Sequence, residues 1–189
     1  MGVREAGKEA NRRRGLLRWG VVGLALLVAV VAWLATRDGG GDSESIQVGT
    51  APRVVSVGEL KNIAASADHS IFWLGPMEGQ ELEVSEGEGG SAVVRYLKDG
   101  VAPGGEPDAA LAIGSYPMED PTTAVDSFAE GPGAIVREAN DGRKVVSSVA
   151  KPSSVYFASP HGSVQVEVYD ASPQRAMAIA MSAQVTPVR

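Results

Sequence analysis

Leu16 to Ala35, LLRWGVVGLALLVAVVAWLA, is the only membrane-length apolar run in the chain, and every other segment is placed by it. Trp19 through Ala35 carry no charge, and Leu16 and Leu17 extend the run past Arg18. At about 1.5 Å per helical residue, roughly 20 residues cover a hydrocarbon core about 30 Å thick. Arg18 lies near one end, where its side chain can snorkel to the headgroups. Trp19 and Trp33 bracket the run at interfacial depth. Arg12, Arg13 and Arg14 precede it, with Arg4 and Lys8 further back, while Asp38, Asp42 and Glu44 follow Arg37. The positive-inside rule then predicts a basic cytoplasmic arm over 1–15, a transmembrane helix over 16–35, and a C-terminal domain outside the cell.

A cleaved signal peptide also has a basic start and an apolar centre, but that centre is about 7–15 residues long. Cutting after Ala35 would also put bulky Trp33 where a small residue is needed. The segment therefore reads as an uncleaved signal-anchor, and the chain as a single-pass protein of the cell membrane. The sequence has no cysteine. That excludes a lipid-modified cysteine, disulfides and thiolate metal sites.

Residues 36–51, TRDGGGDSESIQVGTA, are rich in Gly, Ser and acids. They read as a flexible linker with a reach on the order of 20 Å, which keeps the following domain near the bilayer. Charge divides at the anchor. The first 18 residues hold six basic and two acidic side chains, and the remainder hold eleven basic and twenty-one acidic. An acidic outer domain argues against nucleic acid, for which a basic footprint is expected, and against adhesion to anionic headgroups. Its simplest meaning is solubility.

Residues 52–189 are long enough for one domain with its own core. Ser56-Val-Gly-Glu59 is a capping box, followed by Val57, Leu60, Ala64 and Ala67 at helical spacing. Asp120-Pro121 and Ser172-Pro173 signal two further helices, each a capping residue followed by proline at the first helical position. Between them the pattern is strand-like. Ile71–Leu74 is apolar on both faces and suggests a central strand. Gln80–Val84 alternates, which puts Leu82 and Val84 inward and Glu81 and Glu83 toward solvent. Ala92–Leu97 and Leu111–Tyr116 follow. Ala134–Glu138 and Lys144–Val149 flank Asn140-Asp141-Gly142, a hairpin signal. Val155–Ala158 and Val164–Tyr169 form the last hairpin. The expected fold is α+β: about three helices and seven to eight mostly antiparallel strands.

Ser70–Pro76 with Leu82-Glu83-Val84 lines up without gaps on Ser154–Pro160 with Val166-Glu167-Val168. Similar hairpins look alike by chance, and the helices do not flank these two equivalently, so duplication is the weaker reading. The blocks IFWLGP, ELEV, VRYL, SYP and SVYFASP, with VQVEVYD running into a final helix, resemble uncharacterised membrane-anchored proteins of high-GC bacteria. That resemblance implies one N-terminal membrane helix and the same outer architecture. It implies no activity and no catalytic residues.

No catalytic set assembles from the sequence. Ser148-Val-Ala-Lys151 fits Ser-x-x-Lys, but the Ser-Asp-Asn and Lys-Thr-Gly elements that accompany it are missing, and Ser148 falls on a strand. His69 and His161, the only histidines, lack ligand spacing and read as satisfied surface residues. Glu81, Glu83, Glu86 and Glu88 read as a solvated acidic hairpin without the order of a calcium loop. The glycine clusters lack phosphate-loop spacing. No metal or cofactor is expected. For binding, the aromatic strand residues Trp73, Tyr96, Tyr116 and Tyr156 are the candidates, although strand aromatics usually belong to a core.

The sequence thus points to a membrane-anchored extracytoplasmic binding domain, with the bilayer and a protein or small-molecule ligand outside the cell as its partners. The alternative is a cell-envelope hydrolase with an unrecognised active site, which would show as two close, buried carboxylates. A signalling module is hindered by the short cytoplasmic arm.

Overall fold

The computed structural model describes residues 50–106, 110–160 and 162–189. The expected anchor with Arg12, Arg13, Arg14, Arg18, Trp19 and Trp33, most of the linker, and His161 lie outside the described residues. Among the described residues no helix is long and apolar enough to cross a membrane.

The elements in chain order are β1 (Thr50–Val55), α1 (Val57–Ser66), β2 (Phe72–Trp73), β3 (Gln80–Glu86), β4 (Ala92–Lys98), β5 (Leu111–Pro117), α2 (Pro121–Ala129), β6 (Ala134–Glu138), β7 (Lys144–Ser148), β8 (Ser154–Ala158), β9 (Val164–Tyr169), α3 (Pro173–Met181) and β10 (Thr186–Pro187). The class is α+β. Eight strands form one sheet in the order β1-β3-β4-β5-β9-β8-β7-β6, and β2 pairs with β10 in a separate ribbon. Every ladder is antiparallel.

The three helices among the described residues start where the capping signals put them. Ser56 Oγ accepts from Glu59 N while Glu59 Oε2 accepts from Ser56 N, so both halves of the capping box form. Asp120 and Ser172 each accept from the backbone N–H three residues on, at Thr123 and Arg175, with proline next in line. The β6–β7 hairpin also forms as expected. Its turn closes through Gly142 N to Ala139 O, and Gly142 takes φ 79°, which glycine reaches without steric cost.

The structure corrects two expectations about these elements. Residues 50 and 51 belong to β1, an edge strand that the linker-like composition conceals. Ile71–Leu74 does not form a central strand; β2 is two residues long and pairs only with β10. The aligned hairpins, whose likeness reads as chance, are not equivalent in pairing, because β2 does not pair with β3. The sheet has a twofold topology: β1-β3-β4-β5 and β6-β7-β8-β9 each run from an edge to the centre, meeting at β5 and β9.

Strand alternation divides the sheet into two faces. One carries Val55, Leu82, Val84, Val94, Tyr96, Ile113, Val155, Phe157, Val166 and Val168, and is covered by Leu60 of α1, Phe72 and Trp73 of β2, and Ala176 and Ala180 of α3. The small residues of α3 let its backbone lie close on the strands. The other face is covered by α2 over β6 to β9, where Phe128 meets Tyr156 edge to face with ring centres 5.5 Å apart. That second face holds most of the buried polar chemistry.

Candidate functional site

Glu167 lies on central strand β9 with Gly114 of β5 on one side and Tyr156 of β8 on the other. The alternation VQVEVY reads as half-exposed, yet Glu167 is 2% exposed because α2 closes over that face. Tyr116 Oη donates to Glu167 Oε2 and Tyr156 Oη to Glu167 Oε1, each at 2.8 Å. One carboxylate thus receives phenols from β5 and β8, the strands that flank its own. Burial first, and then the Glu167 charge, push both phenols well above the usual tyrosine range.

Gly114 makes this arrangement possible. Tyr116 is two residues along β5 on the same face, and its ring lies back over Gly114. A Cβ at Gly114 would come within 2.6 Å of Tyr116 Oη and 2.7 Å of its ring carbons. Gln165, also on this face and opposite Tyr116, is 3% exposed, and its Nε2 has no hydrogen-bond partner.

A second buried cluster lies further along the face. Glu83 is 1% exposed, which overturns its expected solvent position. Arg95 Nη1 donates to Glu83 Oε1 at 2.8 Å and Gly104 N donates to Glu83 Oε2 at 2.6 Å. Arg95 Nη2 also donates to Glu106 O at 2.8 Å, so the pair fastens the segment after β4 across the sheet. Glu83 and Arg95 are direct cross-strand partners. That register is the signal that could have identified the pair; its covering by residues 104–106 could not be read from strand alternation.

The four aromatic candidates are all buried. Trp73 packs in the core cluster. Tyr96 Oη accepts from Leu74 N at 2.6 Å and donates to Gly75 O at 3.1 Å, which ties the exit of β2 onto β4. Burial raises its pKa to about 12. Tyr116 and Tyr156 are joined through Glu167. Trp73 and Tyr96 thus belong to one face of the sheet and Tyr116 and Tyr156 to the other, so the structure does not bring the four together in one groove.

The remaining sequence candidates are also placed. Ser148 Oγ accepts from the Lys151 backbone N at 3.1 Å, so Ser-x-x-Lys is a turn at the end of β7. His69 packs on Gly90 instead of standing free, its Nε2 is buried without a partner, and burial lowers its pKa. Glu81 and Glu88 are exposed, Glu86 pairs with Arg53 at 3.4 Å, and Glu83 is internal, so the four do not converge. Among the described residues no group of three or more His, Asp or Glu is placed to hold a metal ion.

What this face can do chemically is limited by how completely its carboxylates are engaged. Glu83 and Glu167 stand three strand spacings apart, about 14 Å across the strands, and the register offsets them by two further residues along the strands. Paired carboxylates in glycoside hydrolysis stand about 5–9.5 Å apart. The third buried carboxylate, Asp170, accepts from Ser172 N at 2.9 Å and pairs with Arg175 at 3.3 Å at the start of α3. No family model, curated protein or solved structure matches the chain.

Proposed function

We propose that the chain is a single-pass, membrane-anchored protein whose outer α+β domain binds a partner close to the bilayer. The observation that carries this reading is the uncharged run from Trp19 to Ala35, with arginines before it and an acidic, Gly-rich linker after it. Two structural facts support a binding role over an enzymatic one. The buried carboxylates Glu83, Glu167 and Asp170 are held by internal donors, and the first two stand too far apart for paired acid–base work. Among the described residues the exposed large apolar side chains are Val54 on edge strand β1 and Val136 and Val149 on or beside edge strand β6, and an unblunted edge such as β6 is where a strand-like partner docks.

The test is cross-linking of the full chain in intact cells, followed by affinity recovery. The proposal expects a discrete cross-linked species that forms through the outer domain and is lost when edge residues are substituted. Recovery of the uncross-linked chain alone, under conditions that cross-link a known membrane complex, contradicts it.

A further inference from the structure

We infer that edge strand β6 is a self-association surface, and that its partner is β6 of a second copy of this chain, paired antiparallel about Val136. The argument begins with hydrogen-bond parity. Ala139 N donates to Arg143 O and Val149 N donates to Gly133 O, both at 2.9 Å, which fixes these residues as the bonded pairs of the β6–β7 ladder. By alternation Ile135 and Arg137 direct their N–H and C=O groups toward β7. Ala134, Val136 and Glu138 then direct theirs away from the sheet, at its last strand.

That outward row matches itself. With Val136 on the twofold axis, Val136 N–H meets Val136 C=O of the other copy in both directions, and Glu138 N–H meets the carbonyl of Ala134. The Ala134 N–H is already given to Gly131 O at 3.2 Å, so it is not left over. Side chains directly opposite in that register are compatible: Arg137 faces Ile135 and Glu138 faces Ala134, and the two Arg137 side chains meet only on the diagonal. Val136, 47% exposed, gains an apolar neighbour across the axis.

The opposite edge is blunted, and this is why the association closes on two copies. Strand β1 contains Pro52, has a register shift between Thr50 and Arg53, and carries the Arg53–Glu86 ion pair. Pro52 also lies close to Gly104 of the segment after β4. Charges occur on both edges, as Arg137 and Glu138 do on β6, but only β1 has a proline and a broken register, so its interrupted hydrogen-bond row does not extend β6 of another copy into a filament. The two strands are short and bury less than a standard interface, so the dimer is reversible on dilution. The inference does not depend on membrane anchoring.

The chain has no cysteine, so single cysteines report cleanly. The experiment measures the mass of the full chain in detergent and cross-links Val136→Cys and Val54→Cys with a short bis-maleimide. The expected result is two chains per particle at high concentration, one chain for Val136→Lys, and a cross-linked dimer from Val136→Cys but not Val54→Cys. Circular dichroism confirms that Val136→Lys is folded. A chain that stays monomeric at every concentration overturns the inference. So does a dimer that survives Val136→Lys, or a β6 edge that takes up a strand of another polypeptide while the chain itself remains single.

Discussion

Gly114 carries a constraint out of proportion to its size. It adds no side chain to the sheet, and the space it leaves is filled by the ring of Tyr116, aimed at Glu167. Gly114→Ala should cost about 1–3 kcal/mol, because the ring has nowhere to retreat without giving up its carboxylate. The cost should largely vanish in a Tyr116→Ala background, and a double-mutant cycle by urea unfolding measures that coupling. The tyrosines make a second prediction. Tyr96, Tyr116 and Tyr156 all have folded pKa values above the ordinary 10.0, so the native state favours the neutral phenol. Their contribution is fully present below pH 10 and is lost as pH rises toward the folded value, about 12 for Tyr96. Of the four tyrosines, these three should ionise only as the sheet unfolds. Tyrosinate absorbance and circular dichroism recorded on one alkaline titration check this, and ionisation well ahead of unfolding would contradict it.

The elements differ in how much of them sequence alone reveals, and the reason is locality. Helix starts are local: Ser56, Asp120 and Ser172 act on backbone groups within three residues, so the three helices begin at the predicted positions. Ser56→Ala should accordingly cost about 1 kcal/mol, read from the urea midpoint. Strand pairing is not local. Nothing within Ile71–Leu74 says that its partner is β10, more than a hundred residues away, and nothing in 50–55 separates a strand from the linker it follows. The candidate site fared worse for the same reason. Glu83 and Glu167 sit in alternating strands whose outward positions are solvated unless another segment covers them. Here residues 104–106 and α2 do so. Arg95→Met should therefore destabilise by about 3–5 kcal/mol, since it strands a buried carboxylate, and replacing Glu83 with leucine as well should recover much of the loss. A small single-mutant effect in urea unfolding would mean that Glu83 finds water in the native state.

At the scale of the molecule, two sets of four strands meet at β5 and β9, and the Tyr116–Glu167 bond spans that junction while Tyr156 holds the same carboxylate from β8. The domain is thus pinned at its centre by polar contacts and leaves its exposed apolar residues on or beside its edges, a division suited to a partner that adds from the side. The role we propose for it depends on where the chain is held. The most direct measurement is the fractionation of cells expressing the full chain with a C-terminal epitope, followed by protease treatment of the intact cells. The account predicts that the protein stays with the membrane through an alkaline carbonate wash, and that external protease removes the epitope. Recovery of a soluble, secreted chain whose N-terminus lies near Thr36 would contradict it.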